Sequence, residues 1–251
     1  MRQAVLAIFF MFIIKSGWSF ILLGESEPPR YPSGHIAVKI VNDHTCANIT
    51  LSAEELSALT QEAVDDFWNT VHTSSLYLDV QGYVSSNGRD ISDFASAANN
   101  NIVIGCSTDS LINNSSIIAV GGYSYSSNIL KGYVAINDNS GTPFNNLSRR
   151  DQVATLAHEI GHALGIGHSE KEFALMYYST GAVYNYLSQD DADAITYLYP
   201  HDGVLGGLGG NCSSIKDQNK KGPLGLFMGL LLVLLVKEFH IRFCRHLVGV
   251  S

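Results

Sequence analysis

Residues 158–168 read HEIGHALGIGH, three histidines and one glutamate in eleven positions. Upstream, Ser148-Arg149-Arg150-Asp151 reads as a capping box, and Val153, Leu156, Ile160 and Leu164 recur at helical spacing, which predicts a buried helix running to about residue 164. His158 and His162 then stand one turn apart on one face, where two imidazoles can bind a single metal ion. Glu159 lies about 100° around the helix, at the edge of such a site, so its carboxylate is free to act on water there. Gly165 falls where the helix must stop. Glycine accepts a left-handed backbone, and the chain can swing back to bring in His168 as a third nitrogen donor. Three neutral histidines and one open position make a catalytic zinc site, whereas structural sites close the shell with four protein ligands. A bare HExxH occurs by chance in helical proteins; Gly165 and His168 at these spacings make the pattern far more specific.

In this extended form the segment resembles the metzincin signature HExxHxxGxxH. A second element follows in Ala174-Leu175-Met176-Tyr177, where Met176 comes eight residues after His168. That distance is similar to the Met-turn of the matrixin branch, in which a methionine lies beneath the metal as a hydrophobic base. Residues 187–195, LSQDDADAI, lead to Tyr-Leu-Tyr-Pro at 197–200 and are similar to the last helix of matrixin catalytic domains. On its own residues that stretch reads as a helix capped by Ser188, with Asp191 three positions on. The resemblance implies a zinc endopeptidase with one catalytic Zn2+ held by His158, His162 and His168. It implies Glu159 as general base and a protein or peptide as substrate.

Tyr178 departs from the pattern, because matrixins usually carry proline at the second position after the methionine. In the astacin and serralysin branches a tyrosine at that place reaches the zinc or hydrogen-bonds the tetrahedral intermediate. Tyr178 therefore either donates to a developing oxyanion or packs as a pocket wall beside Tyr177.

Towards the N-terminus, residues 36–41 alternate like a strand. Ser52-Ala53-Glu54-Glu55 then opens a helix whose Leu56, Leu59, Ala63, Phe67 and Val71 form one apolar face. Residues 76–80, 101–104, 117–120 and 132–136 read as four further strands. The residues alone give one α+β domain, long enough for a substantial core. The resemblance, which covers about residues 31–200, adds a twisted mixed five-stranded sheet, a long helix, an active-site helix, a Met-turn and a C-terminal helix.

Two further departures bear on control and on additional metals. No cysteine-bearing segment of the matrixin prodomain type precedes the domain, so the expectation is control by other means than a cysteine on zinc. Residues 116–137, where family members carry histidines for a structural zinc, contain none. Asp138 and its neighbours in INDNSG, residues 136–141, can offer oxygens to Ca2+, and the same residue types are ordinary turn formers.

Both ends of the chain suggest an address. A charged start and the apolar run at residues 4–14 suit a signal peptide at 1–19, with small residues around Gly17-Trp18-Ser19 and cleavage near Phe20; a retained anchor is the alternative. The catalytic domain then occupies 20–202, a glycine-rich and polar linker 203–222, and a hydrophobic segment with a basic end 223–251. The apolar run 224–236 reaches about 20 Å as a helix, short of the roughly 30 Å bilayer core. It resembles bacterial C-terminal sorting tags more than a GPI signal, and the expectation is an exported protein, extracellular or in the cell envelope, held to the membrane through 224–236.

Cys46 and Cys106 can pair in an oxidising compartment, while Cys212 and Cys244 flank the apolar run. Asn48, Asn113, Asn114, Asn146 and Asn211 begin Asn-X-Ser/Thr triplets. Over residues 20–211 there are 7 basic and 21 acidic residues, which disfavours nucleic acid as a partner. The rival functional reading is a zinc-binding adhesion domain with little or no catalysis, and Glu159 argues against it because a structural site needs no base. A hydrolase acting on a non-peptide bond is a third reading.

Overall fold

Alternating burial places five strands in one sheet: β1 (His35–Val41), β2 (Tyr77–Val84), β3 (Ile102–Ser107), β4 (Ala119–Ser126) and β5 (Ile129–Asn137). The computed structural model describes residues 20–24, 29–178 and 186–201. The signal peptide expected at 1–19, the linker at 203–222 and the hydrophobic segment at 223–251 lie outside the described residues, as do Cys212 and Cys244. Among the described residues no helix is long and apolar enough to cross a membrane.

The strand order is β2-β1-β3-β5-β4. β1 runs parallel to β2 and to β3, β3 runs parallel to β5, and β4 returns antiparallel at the edge beside β5. All six residues of β3 are buried, the pattern of a strand covered on both faces. Ile102 and Ile104 join Ile36, Val38 and Ile40 in the main core, while Val103 turns to the opposite face with Val41, Ala135 and Phe94. The sheet is thus the mixed five-stranded one expected, with most strands a few residues longer than their apolar runs.

Helix α1 (Ala53–Asp66) is started by Ser52, whose hydroxyl accepts from the Glu55 N–H while the Glu55 carboxylate returns to the Ser52 N–H. It ends at Phe67, earlier than the apolar periodicity through Val71 implies. A 3-10 turn at Trp68–Thr70 takes over there and buries Trp68, whose indole N–H donates to the Ala157 carbonyl at 2.9 Å. Helix α2 (Ile91–Ala97) is an addition to the sequence expectation; it covers the second face through Phe94. Helix α3 (Arg149–Ala163) is capped by Ser148 and α4 (Gln189–Leu198) by Ser188 with Asp191. α1, α3 and α4 contribute to the main core.

A disulfide joins Cys46 to Cys106, 60 residues apart in sequence, tying the loop after β1 to β3. Beside it Asp138 is fully buried, and its carboxylate accepts from the backbone N–H groups of Ala47, Asn48 and Ile49. Arg89 lies 3.7 Å from the same carboxylate. Both carboxylate oxygens thus organise the 47–49 loop, which is distant in sequence.

Candidate metal centre

The site is built on α3 and the loop after it. Leu164 caps the helix, Gly165 takes a φ of 101°, and the Ile166 N–H donates back to the Gly161 carbonyl at 2.9 Å. This left-handed turn reverses the chain and returns His168 to the helix face. His158, His162 and His168 each offer one ring nitrogen, all within 4.8 Å of one another, and the Nε2 atoms of His162 and His168 are 3.1 Å apart. The three rings pack mutually, with centroid separations of 4.8, 5.5 and 4.7 Å.

Two of the rings are aimed by backbone carbonyls. His158 Nδ1–H donates to the Leu175 carbonyl at 2.6 Å and His162 Nδ1–H to the Ile166 carbonyl at 2.8 Å. A carbonyl only accepts, so each Nδ1 carries the proton and each Nε2 presents a lone pair, the arrangement that orients metal-ligating histidines. Burial pushes His158 down to about 4 and His162 to about 3, and it lowers His168 as well. All three imidazoles are therefore neutral donors near pH 7. A neutral three-nitrogen set with an open side suits zinc.

Glu159 faces the cleft from the same helix. Its carboxylate accepts from the Gly121 N–H of β4 at 2.5 Å. Enclosure pushes its carboxyl up to about 8, against the opposing pull of that hydrogen bond. Gly121 has to be small: a Cβ there would overlap the Glu159 backbone, so only a bare strand lets β4 approach α3 closely enough for this contact.

Met176 is 1% exposed and its sulfur packs on Gly161, between His158 and His162 in the helix. The turn Ala174–Tyr177 closes with the Tyr177 N–H on the Ala174 carbonyl at 3.1 Å. Asp191, buried in α4, holds it: the carboxylate accepts from the Leu175 N–H at 2.8 Å and the Met176 N–H at 3.1 Å, as well as from Ser188. Burial raises the Asp191 carboxyl while these hydrogen bonds pull it down. Sequence reasoning found Asp191 as a helix cap but missed its reach to the turn. Gly121 and the orienting carbonyls carry no side-chain signal at all, and the glycine between the two helical histidines was the one readable hint of close packing at Gly161.

The cleft encloses about 470 Å³, lined on one side by residues 116–121 and on the other by Leu175, Tyr177 and Tyr178, with Thr155 also in its wall. Tyr178 is 64% exposed and its ring lies 4.5 Å from that of Tyr177. Cys46 and Cys106 lie apart from this cleft lining, in the disulfide described above.

A mixed sheet with one antiparallel edge, a helix bearing two histidines, a glycine-turned third histidine and a methionine turn packed on that helix are the features of a metzincin-type site. The Matrixin family profile matches residues 48–200, more than half of the chain, and the protein belongs to the matrixin family. It is also similar to Metalloendoproteinase 2-MMP of Arabidopsis thaliana, 38% identical over 74 residues. That stretch is 29% of this chain and spans only 20% of the plant relative.

Proposed function

We propose that the protein is a zinc-dependent endopeptidase. The observation that carries this reading is the pairing of three converging neutral imidazoles with a carboxylate on the same helix, at the wall of an open cleft. Zinc held by His158, His162 and His168 supplies Lewis acidity towards water and the scissile carbonyl. Glu159, which the Gly121 N–H holds at the cleft wall, takes the proton of the attacking water and passes it to the leaving amine. The Gly121 N–H fixes one carboxylate oxygen and leaves the other for that transfer. Leu175 and Ile166 keep the imidazoles in the correct tautomer, and Met176 supports them from below. Tyr178 serves as a cleft wall, a role supported by its tilted ring contact with Tyr177.

The test is cleavage of a diverse peptide library by the zinc-loaded full chain, with Glu159→Gln alongside. The variant should retain its zinc and lose about 10²–10⁴-fold in turnover. Metal loss in the variant, or full turnover without the carboxylate, would show the role assignment to be wrong.

The same proposal covers the ends of the chain: export through residues 1–19 and membrane retention through 224–236. The disulfide supports an oxidising compartment. The full chain should fractionate with membranes and a chain ending at Asn211 should not; equal partition of the two defeats the anchor.

A further inference from the structure

Residues 20–24 form a short extended stretch laid along the histidine loop. Leu22 bridges antiparallel to Ile166, with the Leu23 N–H donating to the Gly165 carbonyl and the Gly167 N–H to the Ile21 carbonyl, both at 2.8 Å. From the other side, Tyr123 of β4 donates its hydroxyl to the Leu23 carbonyl at 3.0 Å. The stretch is therefore fastened both to the loop that carries His168 and to the edge strand that carries Gly121.

Its side chains alternate as in any strand. Phe20 and Leu22 pack against the main core, and the Phe20 ring lies 5.6 Å from Tyr197 of α4. Leu23 faces the other way and lines the cleft together with His168. Gly167 makes this fit possible, since a Cβ at that position would come within 2.9 Å of Ile21 Cγ2.

Leu23 and Thr155 mark opposite ends of the cleft. Thr155 sits eight residues, about 12 Å of helical rise, before the end of α3, whereas Leu23 bonds the chain just beyond that end. Glu159 and the histidines lie between them. Leu23 is thus an apolar part of the cleft wall. The family match begins at residue 48, so this wall comes from chain outside the matched part.

We propose that Leu23 forms an apolar subsite that selects the peptide side chain on one side of the scissile bond. The proposal rests on the peptidase reading above. Nothing else contributed by the segment faces the cleft: its backbone groups at Ile21 and Leu23 are spent on Gly165, Gly167 and Tyr123, which leaves the Leu23 side chain as the group a ligand meets.

The experiment uses the zinc-loaded full chain, wild type and two variants, on peptide libraries varied separately on the acyl and amine sides. Leu23→Ala should lower kcat/KM by about tenfold for peptides with a large apolar residue on one side of the scissile bond and leave the ranking on the other side unchanged. Leu23→Phe preserves an apolar anchor for the segment and should shift preference on that same side towards smaller residues. Zinc content and melting temperature report whether each variant is folded. A pair of unchanged rankings in both variants overturns the proposal. So does a uniform rise for every peptide in Leu23→Ala, which would mean that the segment merely obstructs the cleft. If zinc-loaded wild type cleaves nothing, the peptidase reading fails by itself, and peptide binding measured by fluorescence anisotropy decides about Leu23: loss of apolar preference in Leu23→Ala supports the subsite, and equal binding overturns it.

Discussion

Gly161→Ala separates an ordinary helix glycine from one required by the turn beneath the metal. In a free helix this change stabilises by about 1 kcal/mol, because alanine is the better helix former. Here the new methyl overlaps the Met176 sulfur and comes within 2.9 Å of Trp68 Cζ2. Neither neighbour can retreat easily. Met176 is buried with its N–H on Asp191, and Trp68 is buried with its indole N–H on Ala157. Overpacking of this kind costs about 1–3 kcal/mol, so the balance is a net destabilisation of about 1 kcal/mol, reaching about 2. A second effect travels through the turn: if Met176 shifts, so does the Leu175 carbonyl that aims His158. Loss of such an orienting bond weakens metal binding by about 10–100-fold. Denaturant titration of the metal-free protein measures the first effect, and zinc competition against a chelator the second. A metal-free variant more stable than wild type by about 1 kcal/mol, with unchanged zinc affinity, would refute the argument that Met176 is seated tightly against α3.

Tyr178→Phe should leave turnover within about threefold of wild type, as expected for an exposed wall residue; a fall of about 100-fold or more at constant substrate binding would instead assign the hydroxyl to the oxyanion. In metal-free protein, His158 and His162 titrate below the 6.5 of free histidine, so the unfolded chain takes up more protons and stability falls as pH drops from 6.5 to about 3. Glu159 acts in the opposite sense. Its folded carboxyl holds a proton up to about 8 against 4.5 when free, so its contribution is present below 4.5 and lost as pH rises through 8. Denaturant titrations across pH should therefore show metal-free wild type losing stability between pH 6.5 and 8 while Glu159→Gln stays flat there; parallel curves would contradict the enclosure of the carboxylate.

What the sequence disclosed depended on how local each feature is. The metal-binding face needs only one helical turn and one glycine, so His158, Glu159, His162, Gly165 and His168 were legible from spacing. Ser52 and Ser188 were legible for the same reason, since a cap and its partner lie three residues apart. α2 was missed because it is seven residues long and buries only Phe94, too little for a helical period to register. The end of α1 was misjudged because the chain tightens into a 3-10 turn around Trp68, whose partner Ala157 is 89 residues away. Asp138 looked like a surface turn residue or a cation ligand, yet its donors at 47–49 come from another part of the chain. Pairing of residues 20–24 with 165–167 likewise leaves no trace in composition, because backbone groups make the bonds.

The tether from Asp191 to Leu175 and Met176 has a consequence for biosynthesis. A ribosome delivers the histidines of α3 well before it delivers α4, and the carbonyl that aims His158 waits on a turn pinned by that last helix. Until Asp191 emerges, the nascent chain can offer nitrogens to a metal but has no fixed floor under them. The complete nitrogen set is thus oriented only late in translation, once α4 has been made.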